Sequence, residues 1–203
     1  MIIIPIGVDC GIADFLKKYN LRSVSLPFDW AVSYNGVSKC IEDDFKYFTE
    51  PLTNRINIYD IYFHHDFQED ASVQGGDASV QGHEEDKQKY SRRCKRILNI
   101  LIDSEANNEE VIFCRKGHSI HHHYEHNQKY FDIANDIEDA EKLDIILSNK
   151  YPNLNYKIIV ILVCGHCFDA NTTYTSTSDK IEIYNIAGPN ADFENTARAI
   201  FKV

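Results

Sequence analysis

A cysteine that follows an apolar run is the residue whose type and position point most directly to chemistry. Residues 2–6 are apolar without alternation, which predicts a strand covered on both faces. Ile12, Phe15 and Leu16 then recur at helical spacing, so Cys10 comes where the strand passes into a helix. Because the positive end of a helix favours a thiolate, we expect Cys10 to be a nucleophile with a lowered thiol pKa. The alternative is that Cys10 is a small buried hydrophobic residue.

A histidine pair followed by an aspartate forms a second candidate site. Residues 57–63 are rich in β-branched and aromatic side chains, which predicts a strand. His64, His65 and Asp66 follow this run directly. Histidine is the most frequent general base in enzymes, and a carboxylate can orient its ring. The end of this strand is therefore a second candidate site.

A loop around the only tryptophan holds a carboxylate between two aromatic residues. Phe28 and Trp30 are expected to be packing anchors, because aromatic side chains usually fix a loop to the core. Asp29 stands between them, and a carboxylate in such surroundings needs a partner. Arg22 lies a few residues earlier and offers a cation. This loop is therefore a candidate binding region.

Polar residues also follow two further apolar runs. Residues 110–115 end in Arg115, and residues 156–163 lead into Cys164 and His166. Ligands of parallel α/β sheets bind beyond the carboxyl ends of the strands. We therefore expect the polar residues that follow the strands to meet on one side of the sheet, namely Cys10, His65 with Asp66, Arg115, and Cys164 with His166.

Apolar runs that alternate with helical patterns define the elements that must position these side chains. Helical periodicity covers the region after Gly11, residues 84–103, residues 136–150 and residues 192–201. The predicted strands are residues 2–6, 57–63, 110–115, 156–163 and 180–186. This order predicts an α/β fold with three layers, in which a mostly parallel central sheet of about five strands is flanked by helices.

Length and composition indicate one domain. A chain of 203 residues with 43% hydrophobic content forms a sizeable core, so we expect a single domain over residues 1–203. The segment at residues 70–75 recurs almost unchanged at residues 77–82 and is too short for a structural repeat. We interpret residues 68–84 as a flexible inserted loop.

The charge balance limits the partners. A formal net charge of −10 opposes a broad electrostatic grip on nucleic acid or on an anionic membrane. We see neither a leader pattern nor an apolar run of about 18 residues, the length of a membrane span. We therefore expect a cytoplasmic protein that binds no nucleic acid and no membrane.

The six cysteines and the histidine-rich segment permit alternatives to catalysis. We expect the cysteines to be reduced thiols rather than disulfides. Zinc binding is a hypothesis for two groups of residues, but their spacing lacks a repeated knuckle pattern. We favour an exposed histidine-rich loop and assign neither a metal site nor a cofactor. The residues concerned are His118, His121, His122, His123 and His126, and Cys164, His166 and Cys167.

Several blocks of the sequence resemble an uncharacterised family described as papain-like cysteine peptidases. The resemblance covers about the first two thirds of the chain and is carried by the blocks around Gly7 and Cys10, Pro27-Phe28-Asp29-Trp30, Phe63-His64-His65-Asp66-Phe67, Lys89-Tyr90 with Arg92-Arg93, and residues 111–115. It implies a cysteine nucleophile at Cys10 and a histidine base at His65. The orienting acid is Asp66 within the same block or, if the strand continues, Asp29, because adjacent residues of a strand point to opposite faces. A papain-like fold packs a helix on an antiparallel sheet, which differs from the pattern of alternating strands and helices here.

Two functions from different classes follow. The first is a cysteine-dependent hydrolase or acyl transferase without a cofactor, in which amides near Gly11 stabilise the oxyanion. Its substrate, a protein or a small polar molecule, would bind at Arg22, Trp30, Arg115 and His166. The second is an α/β protein that binds a polar ligand or transfers a group, with Cys10 structural. Arg22, Asp29, His65 and Arg115 would then hold the ligand, although the phosphate-binding glycine patterns are missing.

Overall fold

Strands and helices follow one another in a regular order in the computed structural model of this chain. The structure describes residues 1–33, 36–50, 52–53, 55–67, 77–118, 133–164, 174–187 and 192–203. In chain order the elements are β1 (Ile2–Gly7), α1 (Gly11–Lys18), β2 (Val32–Ser33), α2 (Val37–Glu42), β3 (Ile61–Tyr62), α3 (Asp77–Asn107), β4 (Val111–His118), α4 (Ile133–Lys150), β5 (Tyr156–Cys164), β6 (Ile181–Ala187) and α5 (Phe193–Phe201). Strands and helices alternate along most of the chain, which confirms the predicted fold class.

The central sheet has four parallel strands in the order β1-β4-β5-β6. Strands β1 and β5 are almost entirely apolar because helices cover both faces of the sheet, whereas β6 at the edge of the sheet carries Glu182 and Asn185. On one face, Phe15 of α1 and Ala197 of α5 pack against Ile112 and Ile159 of the sheet. On the other face, the side chains of α2, α3 and α4 pack against the sheet. The result is a three-layer α/β fold, as the sequence predicts.

The predicted strand at residues 57–63 does not join this sheet. Within it only β3 is extended, and β3 pairs antiparallel with β2 as a separate two-stranded ribbon. The preceding residues form a turn, because the amides of Tyr59 and Ile61 both donate to Asn57 Oδ1 and Asp60 has a φ of 59°. The prediction that residues 57–63 form a strand of the central sheet is therefore wrong, and this sheet has four strands among the described residues.

Helices α3 and α4 are longer than the predicted ranges. Helix α3 begins at Asp77, in the second copy of the duplicated segment, whereas the first copy lies outside the described residues. The inserted loop therefore remains a prediction for residues 68–76. Helix α5 begins after Asp192, whose side chain accepts a hydrogen bond from the Asn195 amide. None of the helices in the described part of the chain is long and apolar enough to cross a membrane.

The end of β1 requires a glycine. Gly7 has a φ of 146°, and a Cβ at this position would lie 2.5 Å from the carbonyl oxygen of Lys116 on β4. This conformation is open only to glycine. It lets the chain leave the sheet directly beside Lys116, so the turn between β1 and α1 is held close to β4.

Candidate active site

Cys10 lies at the carboxyl edge of the sheet, in the turn between β1 and α1. It occupies the position just before the first residue of α1, which begins at Gly11. Its side chain is half-buried, whereas the other described free cysteines, Cys40, Cys94 and Cys114, are buried. Cys10 is therefore the thiol among these four that a reagent reaches most easily.

Carboxylates dominate the electrostatics at Cys10. Burial raises the pKa of the Cys10 thiol, and the negative charges of Asp14 and Asp9 raise it further. A hydrogen bond between the thiol and the Asp14 carboxylate acts in the same direction. The expected lowering of this pKa is wrong, because burial and the two carboxylates outweigh the partial positive charge at the helix end. Burial and the two carboxylates therefore favour the thiol of Cys10 over the thiolate.

Asp9 and Lys116 complete the surroundings of Cys10. Lys116 Nζ lies 2.6 Å from Asp9 Oδ2, and the Gly11 amide donates to Asp9 Oδ1 at 2.8 Å. The amide at the start of the helix therefore already has an acceptor. Sequence reasoning missed Asp9, Asp14 and Lys116. The helical spacing from Cys10 to Asp14 could have revealed Asp14, whereas Lys116 required the register of β1 on β4.

Trp30 joins two of the predicted site residues. The Trp30 and His65 rings meet edge to face with their centroids 6.2 Å apart. The Arg22 guanidinium lies 6.0 Å from the centroid of the Trp30 ring. His64 stacks edge-on against His65 at 4.6 Å, and both histidines are exposed. Arg22, Trp30 and His65 therefore form one connected cluster, which joins the candidate loop of Arg22 and Trp30 to the candidate site at His65.

Asp29 is the buried anchor of this cluster. Its side chain is fully buried, and Asp29 Oδ2 accepts hydrogen bonds from Arg22 Nη2 and, at 2.9 Å, from the Leu26 amide. Burial raises the pKa of Asp29 in spite of these two bonds. The partner that a buried carboxylate needs is thus Arg22. These contacts make Asp29 a residue that positions Arg22.

Asp66 turns towards α3. Its carboxylate accepts hydrogen bonds from Lys89 Nζ and from the Tyr90 hydroxyl, each at 2.7 Å. Burial by itself would raise the pKa of Asp66, but the hydrogen bonds from Lys89 and Tyr90 lower it overall. Of the two acids proposed to orient His65, Asp29 therefore contacts Arg22 and Asp66 contacts α3. Which acid orients His65 remains a hypothesis.

Arg115 lies inside β4 rather than beyond its end, because the strand continues to His118. Its side chain is 0% exposed and donates to Asp136 at 2.5 Å, to Asp139 at 3.3 Å and to the carbonyl of Ser33 at 3.2 Å. The expectation that Arg115 follows a strand end is wrong. The Arg115 guanidinium therefore joins α4 and β2 to the sheet and is not accessible to solvent.

The remaining predicted residues lie mostly outside the described part of the chain. His166 and Cys167 fall within residues 165–173, and the histidines from position 121 to 126 fall within residues 119–132, none of which is described. Among the described residues, no group of three or more histidine, cysteine, aspartate or glutamate side chains is arranged to hold a metal ion.

A small apolar cluster links the two parts of the site. Val8 packs against Val32 of β2 and Tyr62 of β3. Val8 stands just before Cys10, while Trp30 precedes β2 and His65 follows β3. The turn that carries Cys10 therefore packs against the ribbon whose flanks carry Trp30 and His65.

The fold and this site define a three-layer α/β protein with a half-buried cysteine at the edge of its sheet. Residues 1–60 match a family described as "putative papain-like cysteine peptidase". This match includes Cys10, Asp29 and Trp30, whereas His65 and Asp66 lie beyond it. No curated protein and no solved structure matches the chain. The similarity supports a cysteine hydrolase at the level of the class alone.

Proposed function

We propose that this protein is a cysteine-dependent hydrolase in which Cys10 is the nucleophile and His65 is the general base. The observation that carries the proposal is the position of Cys10, half-buried at the carboxyl edge of a parallel sheet and directly before α1. Its turn packs through Val8 against the ribbon that leads to His65. The family similarity of residues 1–60 adds support for a reactive cysteine.

In the resting protein the sulfur keeps its proton, since Asp9 and Asp14 disfavour a thiolate. Once a carbonyl substrate binds, His65 takes the proton from the Cys10 thiol while the sulfur attacks the carbonyl carbon. A carbon–sulfur bond forms, and an electron pair moves to the carbonyl oxygen. The leaving group then departs with the proton from His65. Water, deprotonated by His65, cleaves the thioester, releases the acid and restores the thiol.

The developing oxyanion needs donors at the start of α1. The Gly11 amide donates to Asp9 in the resting state. The next two amides, those of Ile12 and Ala13, belong to the first helical turn, whose N–H groups lack an intrahelical acceptor. We assign the oxyanion to these amides, since preorganised donors contribute a large share of such catalysis.

A second candidate function is a polar-ligand-binding or group-transfer protein in which Cys10 is structural. The raised pKa of Cys10 favours this alternative, because a reactive cysteine is usually found in electropositive surroundings. In this case the cluster of Arg22, Trp30 and His65 would hold the ligand. Since Arg115 is buried, it would not contact the ligand.

Acylation by p-nitrophenyl acetate separates the two functions. A cysteine hydrolase forms an acetyl thioester on Cys10 and releases a burst of nitrophenolate. We expect mass spectrometry to locate the acetyl group on Cys10 in the wild-type protein. The Cys10→Ser variant should give no burst and should keep its fold. A wild-type protein that acquires no acetyl group on Cys10 would support the second function instead.

A further inference from the structure

A polar cleft of about 490 Å³ lies beside the Trp30 cluster. Its lining includes Lys17 of α1, Arg22 and Ser25 of the following loop, and Arg96 of α3. The lining residues come from two separate parts of the chain, residues 17–25 and Arg96, so the cleft exists only in the folded protein. Arg22 belongs to both the cleft and the Trp30 cluster, and the two are therefore adjacent.

The cleft is cationic on an acidic protein. Lys17, Arg22 and Arg96 contribute three positive charges, and its described lining residues include no carboxylate. The chain as a whole has a formal net charge of −10. Since most of the protein surface repels anions, a concentration of cations in one concave site marks a specific place for a negative group.

The two guanidinium groups are held in place before any ligand arrives. Arg22 Nε donates to the carbonyl of Val24 at 3.2 Å, and Arg22 Nη2 donates to Ser25 Oγ at 2.9 Å and to Asp29. Arg96 Nη1 donates to the carbonyl of Ser25. Of the three cations, only Arg22 has a buried carboxylate as a partner. Guanidinium groups that are held in place in this way lose little entropy when they bind an anion.

We infer that this cleft binds an anionic group of the substrate, a carboxylate or a phosphate. This assignment of the substrate class rests on the proposed function, while anion binding itself does not. Lys17 lies two turns beyond Cys10 on α1, about 10 Å along the helix at the usual rise. An extended peptide covers this distance in about three residues. The substrate therefore carries its negative group about three residues from the bond that Cys10 attacks.

Titration with inorganic phosphate, followed by amide NMR, tests the anion site. We expect saturable shifts at Lys17, Asn20 and residues 23–25 in both the wild type and the Cys10→Ser variant, with chloride at equal ionic strength as the reference. Affinity should fall about tenfold or more in the Lys17→Gln/Arg96→Gln variant. Lys17→Gln alone, at an exposed position, should weaken binding without affecting the fold.

A matched variant controls for net charge. Lys39→Gln/Lys95→Gln removes two exposed lysines that do not line the cleft, so its phosphate affinity should equal that of the wild type. Equal affinity in both double variants, or the absence of saturable shifts, would overturn the anion site.

A pair of bromoacetyl tripeptides tests the link to Cys10. One has a free terminal carboxylate and the other a terminal amide, and both form a thioether with Cys10 as bromide leaves. We expect the carboxylate to react about tenfold faster, and phosphate or Lys17→Gln/Arg96→Gln to abolish this preference. Phosphate binding without a carboxylate preference would overturn the substrate assignment. If neither peptide nor p-nitrophenyl acetate modifies Cys10, the hydrolase proposal fails, and the phosphate titration still decides the anion site.

Discussion

The turn around Cys10 and the cluster around Trp30 have opposite electrostatics, although Val8 packs the turn against the ribbon beside Trp30. At the turn, Asp9 and Asp14 face a thiol and raise its pKa. At the cluster, Arg22 faces a buried carboxylate and an aromatic ring. Under the proposed function, one region favours the protonated form of the nucleophile, while the other has the positive charge that attracts a substrate. Reactivity then depends on what binds, which protects a thiol from unspecific modification.

The largest effect is expected at Arg115, which joins the parts that hold both regions. Arg115→Ala leaves Asp136 and Asp139 buried without their cation, and breaking such a group costs about 3–5 kcal/mol of unfolding free energy. Urea denaturation followed by circular dichroism measures this loss. Arg92→Ala, at an exposed position on α3, is the control and should change stability by less than about 0.5 kcal/mol. A similar small change in both variants would contradict a structural role for Arg115.

A smaller loss of unfolding free energy is expected when Asp66 or Asp29 is replaced. The pH dependence of this loss has opposite signs for the two acids. Folding lowers the pKa of Asp66, so its contribution to stability is present above the ordinary value of 3.8 and disappears as pH falls through the lowered pKa. Asp66→Asn should cost about 1–2 kcal/mol at neutral pH through its weakened bonds with Lys89 and Tyr90, and less in acid.

Asp29 should behave in the opposite way. Burial raises its pKa, so its favourable contribution is complete below the ordinary value of 3.8 and is lost as pH rises through the raised pKa. In the Asp29→Asn variant, the stability should therefore no longer fall as pH rises through this pKa. The unfolding free energy of the two variants and of the wild type, measured between acid and neutral pH, gives the comparison. Parallel pH curves for both variants would show that Arg22 compensates Asp29 more completely than its burial indicates.

The smallest change tests the carboxylates at the turn. Asp14→Asn removes a negative charge and an acceptor from Cys10, so the thiol pKa should fall and alkylation by iodoacetamide at neutral pH should become severalfold faster. Peptide mass spectrometry follows Cys10 separately from the other cysteines. Asp103→Asn, an exposed carboxylate on α3, is the matched control. An unchanged alkylation rate in the Asp14→Asn variant would show that Asp14 does not raise the pKa of the Cys10 thiol.

Local pattern was sufficient to predict the four strands of the sheet and most of the helices. Burial on both faces leaves almost uninterrupted apolar runs in β1 and β5, while β6 at the edge of the sheet mixes apolar and polar residues. It failed at residues 57–63, where the side chain of Asn57 organises a turn that β propensity does not reveal. In the site, the predicted residues Arg22, Asp29, Trp30 and His65 lie in or beside one connected cluster. Arg115 was misplaced because the length of a strand depends on its neighbours. Near Cys10, helical spacing could have revealed Asp14, but Lys116 could not be predicted, since it reaches Asp9 only through pairing of β1 with β4.

The rate of Cys10 acylation by p-nitrophenyl acetate, measured across pH in the wild type and in His65→Ala, tests most directly whether the two residues act together. We expect His65→Ala to slow acylation about a hundredfold at neutral pH, where the base must take the proton, and to react like the wild type in strong alkali, where the thiolate forms unaided. His64→Ala, also at an exposed position, should follow the wild type throughout. Identical pH profiles for His65→Ala and the wild type would contradict the catalytic pair.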